Sequence, residues 1–256
     1  MALFFALCPL ASGWAGDVIK REIVYRVVAS FPHAPQAFTQ GLYYEKGFFY
    51  ESTGLYGQSS LRMVEARTGR IKRKVALPDE WFGEGITVLG DRLIQLTWRT
   101  GIGIVYDKKT FSRRKMFHYL HEGWGITHDG HRLLVSDGTE VIRFWHPTDF
   151  REIGRLRVME GGKPVYGLNE LEFIEGSIYA NVWPTARIIR INPVSGQVTG
   201  EMDLSGLIAT FEKKDVDVAN GIAYDPISRL VFITGKFWPR VFVIKIEHSE
   251  LRESRR

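Results

Sequence analysis

The residues of this sequence best suited to chemistry stand at one place in a repeating pattern. Five short segments superpose: Thr39-Gln40-Gly41-Leu42, Gly83-Glu84-Gly85-Ile86, Gly123-Trp124-Gly125-Ile126, Leu168-Asn169-Glu170-Leu171 and Ala219-Asn220-Gly221-Ile222. Their third positions lie 44, 40, 45 and 51 residues apart. The second positions hold Gln40, Glu84, Trp124, Asn169 and Asn220. Equivalent positions of repeats set around one axis lie at one depth, so these side chains should face a common funnel. A purely structural ring would carry similar small residues, whereas this set mixes amides, a carboxylate and an indole. A second layer is expected about a dozen residues later in each unit, at Thr53-Gly54, Thr97-Trp98-Arg99, Asp137-Gly138, Val182-Trp183-Pro184 and Gly235-Lys236-Phe237. Trp98 and Trp183 fall at matching places. Three indoles around Glu84 as one titratable group would make a largely apolar small-molecule pocket.

Short strands must position these residues. Each segment runs into a strand, then a turn, then a second strand. The turns are Glu45-Lys46-Gly47, Leu89-Gly90-Asp91, Asp129-Gly130-His131, Ile174-Glu175-Gly176 and Asp225-Pro226-Ile227. The second strands, Phe48–Glu51, Arg92–Leu96, Arg132–Ser136, Ser177–Asn181 and Arg229–Thr234, are β-branched and aromatic, as hairpins require. Four units continue with two more strands; four antiparallel strands per unit of this length is the signature of a propeller blade. The fifth unit has only three, Gly221–Tyr224, Arg229–Thr234 and Val241–Glu247. Ile23–Phe31, ahead of the first unit, supplies the missing one. The expected fold is therefore all-β: a five-bladed β-propeller over residues 22–247, its last blade completed by the N-terminal strand so that no sheet edge is bare.

Bulk properties exclude other classes. The 256 residues include 26 Gly, 16 Phe, 10 Tyr and 7 Trp, which favours turns and aromatic strands over helices. The net charge of +5 is mild, and the basic clusters Arg70–Lys74 and Arg113–Lys115 are too short for a nucleic-acid footprint. Cys8 is the only cysteine, so neither a disulfide nor a thiol nucleophile is expected in the folded part. Residues 2–12 are apolar and resemble the core of a secretory signal with cleavage after Ala15, which implies a periplasmic or secreted protein whose leader is residues 1–16. That run is too short to span a bilayer, and no later candidate span exists. Residues 248–256 read as a charged tail. The pairs His118/His121 and His128/His131 fall at a strand end and in a turn, so no metal site is expected. No nucleophile elbow and no phosphate loop is present, and no cofactor is expected.

The phrases Phe38-Thr39-Gln40-Gly41-Leu42, Glu51-Ser52-Thr53-Gly54-Leu55-Tyr56-Gly57, Gly83-Glu84-Gly85-Ile86-Thr87, Leu168-Asn169-Glu170-Leu171 and Asn181-Val182-Trp183 resemble the plant and bacterial glutamine cyclotransferases. That family, unrelated to the zinc-dependent animal enzymes of the same activity, forms five-bladed propellers. The resemblance implies conversion of N-terminal glutamine of peptides and proteins to pyroglutamate with release of ammonia; a monomer is expected, and the few anionic ligands of the pocket imply that activity needs no metal. It carries the site over to Phe38, Gln40, Glu84, Trp98, Trp124, Asn169, Trp183 and Lys236. Phe38, Trp98, Trp124 and Trp183 would bind substrate, and Glu84 would pass a proton from the attacking amine to the leaving nitrogen. Asn169, Gln40 or Lys236 would polarise the carbonyl. Two other classes compete. A metal-dependent propeller lactonase or esterase needs several inward Asp, Asn or Glu ligands, and the upper ring supplies one carboxylate, Glu84, with Asn169 and Asn220. A non-catalytic peptide-binding propeller would release no ammonia.

Overall fold

The structure, a computed structural model, describes residues 21–211 and 216–247. The expected leader and charged tail lie outside the described residues. Antiparallel sheets of four strands recur five times, one of them extended by a fifth, parallel strand. Blade 1 comprises Thr39–Glu45, Phe48–Thr53, Ser60–Glu65 and Arg70–Ala76. Blade 2 comprises Gly83–Leu89, Arg92–Thr97, Ile102–Asp107 and Arg113–His118. Blade 3, with shorter inner strands, comprises Ile126–His128, Leu133–Val135, Val141–Trp145 and Glu152–Arg157. Blade 4 comprises Leu168–Ile174, Ser177–Val182, Arg187–Ile191 and Val198–Asp203. Blade 5 has Ala219–Asp225, Leu230–Gly235 and Arg240–Ile246 from its own repeat.

The N-terminal strand completes blade 5, as the strand count requires. Tyr25–Pro32 pairs antiparallel with Arg240–Ile246, from Tyr25 opposite Ile246 to Pro32 opposite Arg240. It begins and ends slightly later than the sequence pattern suggests. The two residues ahead of it, Arg21–Glu22, pair parallel with Gly200 and Glu201 on the outer strand of blade 4. The N-terminal segment thus ties together two neighbouring blades. Two further features had no sequence signal: a small hairpin joining Met159–Glu160 to Lys163–Pro164, and a single helical turn at Ser205–Ile208.

Apolar burial follows the ring. Each of the five blade interfaces has its own hydrophobic cluster: Leu61, Leu77, Ile86 and Ile104 between blades 1 and 2, and Ile94, Leu96, Val135 and Trp145 between blades 2 and 3. Ile142, Leu156, Leu171 and Ile189 fill the next interface, then Ile188, Met202, Ile233 and Trp238. Leu42, Phe49, Phe232 and Val243 close the circle. Middle strands are therefore apolar on both faces, whereas outer strands face water. Arg70–Ala76 and Arg113–His118, the basic clusters of the sequence, are two such outer strands and almost wholly exposed. Charge on an unpaired edge discourages edge-to-edge association, which accounts for these clusters without a polyanionic partner.

At the centre the innermost strands meet in a closed circle, and their backbones approach closely. A Cβ on Gly85 would lie 2.6 Å from the carbonyl oxygen of Trp124, and one on Gly125 2.1 Å from that of Asn169. Glycine at the third motif position is the condition for that contact. Blade 4 departs from it. Glu170 stands there instead, fully buried, and its two oxygens accept the backbone N–H groups of Leu42, at 3.2 Å, and Ile222, at 2.8 Å. One side chain thereby links blades 1, 4 and 5 near the axis.

Candidate active site

Backbone geometry aims the funnel residues. In blades 1, 2, 4 and 5 the pairing of the first two strands shifts register at the motif: between Thr39 and Gly41, Gly83 and Ile86, Leu168 and Leu171, and Ala219 and Ile222. A β-bulge turns a side chain out of the pleat. At these four places it sends Gln40, Glu84, Asn169 and Asn220 off the sheet faces, where alternation would otherwise direct them between blades.

A second repeated device builds the upper layer. The N–H groups of Gly54, Trp98, Trp183 and Lys236, each just past a second strand, donate to the carbonyl oxygens of Phe38, Phe82, Gly167 and Val218 at 2.7–3.0 Å. These acceptors all stand three residues before the third motif position. The scaffold contact is made by backbone alone, so it does not itself select the side chains, although Gly54 and Gly167 have no room for a Cβ. Lys236 therefore occupies in blade 5 the place that Trp98 and Trp183 occupy in blades 2 and 4.

Glu84 is buried on the inner strand of blade 2, 4% exposed. Its Oε1 accepts from Gln40 Nε2 at 2.8 Å, and Gln40 Oε1 in turn accepts from Asn220 Nδ2 at 2.8 Å. Asn220 also donates to the Thr39 carbonyl at 3.1 Å, so its amide hydrogens are engaged and Gln40 is held at both ends. Glu84 Oε2, Asn169 Oδ1 and Asn220 Oδ1 are buried acceptors with no hydrogen-bond partner among the described residues. Such orphans are rare in folded proteins and call for an explanation. Burial holds the Glu84 carboxyl well above the usual carboxylate range; the Lys236 charge and the Gln40 hydrogen bond oppose this, and the Glu122 charge adds to it. Burial also pushes the Lys236 ammonium down, against the pull of Glu84 and Asp217. Lys236 Nζ lies 4.5 Å from the centroid of the Phe38 ring.

Aromatic contacts continue from there. Phe38 meets Phe82 edge-on at 6.0 Å, and Phe82 meets Trp98 at 5.5 Å. Trp124 and Trp183 meet edge-on at 5.8 Å, and Trp183 is 46% exposed at the rim. Between the two groups stands Glu122, whose Oε2 accepts from Trp98 Nε1 at 2.6 Å and from Trp124 Nε1 at 2.9 Å. The expectation of one titratable group among three indoles is therefore corrected: a second carboxylate, Glu122, stands there and holds the N–H groups of two of them, Trp98 and Trp124. Phe82 and Glu122 had a signal in the repeats, because they share with Phe38 the position three residues before the third motif residue.

The sequence-designated residues otherwise come together. Gln40 and Glu84 touch, Phe38 and Lys236 touch, Trp124 and Trp183 touch, and Trp98 joins Trp124 through Glu122. Asn169, second residue of its strand, has its Oδ1 buried and unpartnered among the described residues. Asp137, at the matching end of blade 3, is consumed by Arg143, at 2.9 Å, and by Thr139. His128 is engaged with the Val88 carbonyl and the Gly130 N–H, and His121 packs against Tyr119 and Trp145. Among the described residues no group of three or more His, Cys, Asp or Glu is placed to hold a metal ion.

This site has counterparts in known proteins. The family model described as glutamine cyclotransferase matches residues 1–246. A glutaminyl-peptide cyclotransferase of Arabidopsis thaliana is 40% identical over 247 residues, covering 94% of this chain and 77% of that protein. The crystal structure of Myxococcus xanthus glutaminyl cyclase superposes with a TM-score of 0.83 at 35% identity, covering 90% of this chain and all of that one. On a closed five-bladed ring with one buried acid, one buried lysine and an aromatic wall, those likenesses converge: the chain belongs to the glutamine cyclotransferase family.

Proposed function

We propose that this chain converts N-terminal glutamine of peptides and proteins to pyroglutamate, with Glu84 moving the proton and no metal taking part. The observation that carries this reading is the set of three buried, unpartnered acceptors beside one buried lysine. An N-terminal glutamine presents what such a set lacks, namely donors on its α-amine and on its side-chain amide nitrogen. In the reaction the amine nitrogen bonds to Cδ of its own side chain, and the bond from Cδ to the amide nitrogen breaks. The proton lost by the amine must reach the departing nitrogen, which leaves as ammonia. Glu84 Oε1 is occupied by Gln40, so Oε2 is the oxygen that takes and returns this proton. A carboxyl raised by burial takes a proton more readily than an ordinary one and can still return it to the departing nitrogen.

Gln40 is held between Glu84 and Asn220, which makes it the orienter of the acid. The developing oxyanion is then left to Lys236 or Asn169, a role typically worth a few kcal/mol. Because nucleophile and electrophile belong to one residue, folding the side chain into a reactive conformer is much of the task. The aromatic run from Phe38 to Trp183 supplies the walls for it. We also propose that the protein acts as a monomer and is exported, the latter resting on the apolar residues 2–12.

Incubation of the purified protein with a Gln-initiated dipeptide, with ammonia and the cyclised product both quantified, tests the reading. Turnover should be unchanged after dialysis against a strong chelator. No ammonia from the untreated protein would overturn the function, and a loss restored by zinc or calcium would overturn the metal-free mechanism.

A further inference from the structure

Glu122 is a residue that the proton-transfer chemistry does not use. It stands on the connection between blades 2 and 3, two residues before Trp124, with its side chain partly buried at the funnel wall. A single oxygen, Oε2, accepts both indole N–H groups, from Trp98 of blade 2 and from Trp124 of blade 3. Its other oxygen accepts from Arg99 Nε at 3.0 Å, and the Arg99 guanidinium lies 3.9 Å from the centroid of the Trp98 ring. An indole has one donor, and a tilt about its attachment moves the ring face by several ångströms. Two indoles on different blades that share one acceptor lose that freedom together, because neither can tilt without breaking a charge-assisted bond.

Resting on the cyclotransferase reading, we propose that Glu122 is a positioning residue for the cyclisation, a carboxylate clamp that sets the spacing of two of the three indole walls around the folded glutaminyl side chain. A neutral acceptor could hold the N–H groups, but the carboxylate also brings negative charge to the funnel. That charge opposes ionisation of Glu84, whereas Lys236 favours it. Other titratable groups in the surroundings are Tyr119, which feels the Glu84 charge, Asp217 beside Lys236, and Arg99 on Glu122 itself. Glu122 thus shapes the wall through Oε2 and biases the acid through its charge.

Two substitutions separate the effects. In Glu122→Gln one amide oxygen can still accept both indole N–H groups while the charge is gone; Glu122→Ala removes acceptor and charge together. In steady-state kinetics on a Gln-initiated peptide, Glu122→Ala should raise KM at least about tenfold, since small misplacements of binding walls have large kinetic effects. Glu122→Gln should restore KM to within about threefold of wild type. In the pH profile of Glu122→Gln, the limb that vanishes in Glu84→Gln should move to lower pH, because a like charge has been removed from the acid. The limb reads the charge of Glu122, and the recovery of KM in the glutamine variant reads its clamp on the two indoles. A folded Glu122→Ala protein with KM within about twofold of wild type overturns the proposal, as does a glutamine variant no better than alanine or a stationary limb. Should Glu122→Ala fail to fold, Glu122→Leu fills most of the vacated volume and still gives the Trp98 and Trp124 N–H groups no acceptor. It should show the same rise in KM, and a wild-type KM there overturns the proposal. Absence of ammonia release by wild type would instead remove the cyclotransferase reading itself.

Discussion

Replacing Glu84 by glutamine tests the proton-transfer assignment most directly. The substitution keeps volume, and the amide oxygen can still accept from Gln40 Nε2 in place of Oε1. At the position of Oε2, however, an NH2 group would point where the reaction needs an acceptor. The substrate amine and the departing nitrogen also bring hydrogens, so donor would face donor. Lys236 would at the same time lose its main opposing charge and keep only Asp217, further disfavouring its ammonium form. Loss of general acid–base transfer alone slows turnover roughly 10²–10⁴-fold, about 3–5 kcal/mol in the barrier. With the Lys236 charge weakened as well, the upper part of that range is expected. KM should change much less, because the aromatic walls are untouched.

Stability should move the other way. The folded-state pKa of Glu84 is raised, so over the window from about 4.5 up to that raised value the folded protein holds a proton that the unfolded chain has lost. Native binding of the extra proton means that stability falls as pH rises through this window. Glu84→Gln removes the dependence and should melt at or above the wild-type temperature at neutral and mildly alkaline pH. The assay is steady-state kinetics on a Gln-initiated peptide beside thermal melts at several pH values. A well-folded variant with turnover within about threefold of wild type would refute the assignment.

Other perturbations probe the wall, the axis and the closure. Trp183→Ala takes away a rim indole and its edge contact with Trp124, and should raise KM roughly tenfold or more with a smaller change in kcat. Kinetics in which kcat alone falls would place Trp183 in the chemistry instead. Glu172, buried with Thr127 Oγ1 at 3.2 Å and the Tyr224 N–H at 3.2 Å, is pushed up to about 8 by burial. By the same sign rule, wild-type stability should decline between about pH 4.5 and 8 by up to a few kcal/mol from this group. Glu172→Gln should flatten that part of the curve, and an unchanged slope refutes it. Deleting residues 1–32 removes both the outer strand of blade 5 and the pairing of Arg21–Glu22 with blade 4, baring the Val241 and Val243 layer. A cooperative thermal transition equal to wild type would sink the closure argument.

The fold was legible because blade units repeat in the backbone's own language of strand, turn and strand, and because the fifth unit was visibly one strand short. The pairing of Arg21–Glu22 with blade 4 was not legible. Two residues have no periodicity, and parallel pairing leaves no turn to mark it. Gln40 and Glu84 could be read from alignment of the second motif position, since the bulge there is a backbone event that recurs with the repeat. Glu122 escaped for a different reason. Its role depends on where two indoles from other parts of the chain turn their N–H groups, a matter of rotamers that no spacing encodes. Comparing the position of Phe38 across all repeats would have raised Phe82 and Glu122 together, but only as places, not as partners.

The same comparison explains why the site sits where it does. At the upper edge of blades 1, 2, 4 and 5 the first two strands are tied by one repeated backbone bond, from Gly54, Trp98, Trp183 and Lys236 to the carbonyls of Phe38, Phe82, Gly167 and Val218. Neither side chain takes part in that bond, so it leaves the residue type open at Phe38, Phe82, Trp98, Trp183, Val218 and Lys236, whereas Gly54 and Gly167 have no room for a Cβ. A glycine, two indoles and a lysine occupy the donor positions, and two phenyl rings, a hydrogen and an isopropyl group occupy the acceptor positions. Lower down the constraint reverses, as Gly85 and Gly125 have no room for a Cβ. Chemistry on this ring is therefore confined to a narrow band, above the close approach of the inner strands and below open solvent. Lys236 is the clearest product of that freedom: it holds an indole's place in the repeat, yet brings a buried cation to the acid two blades away.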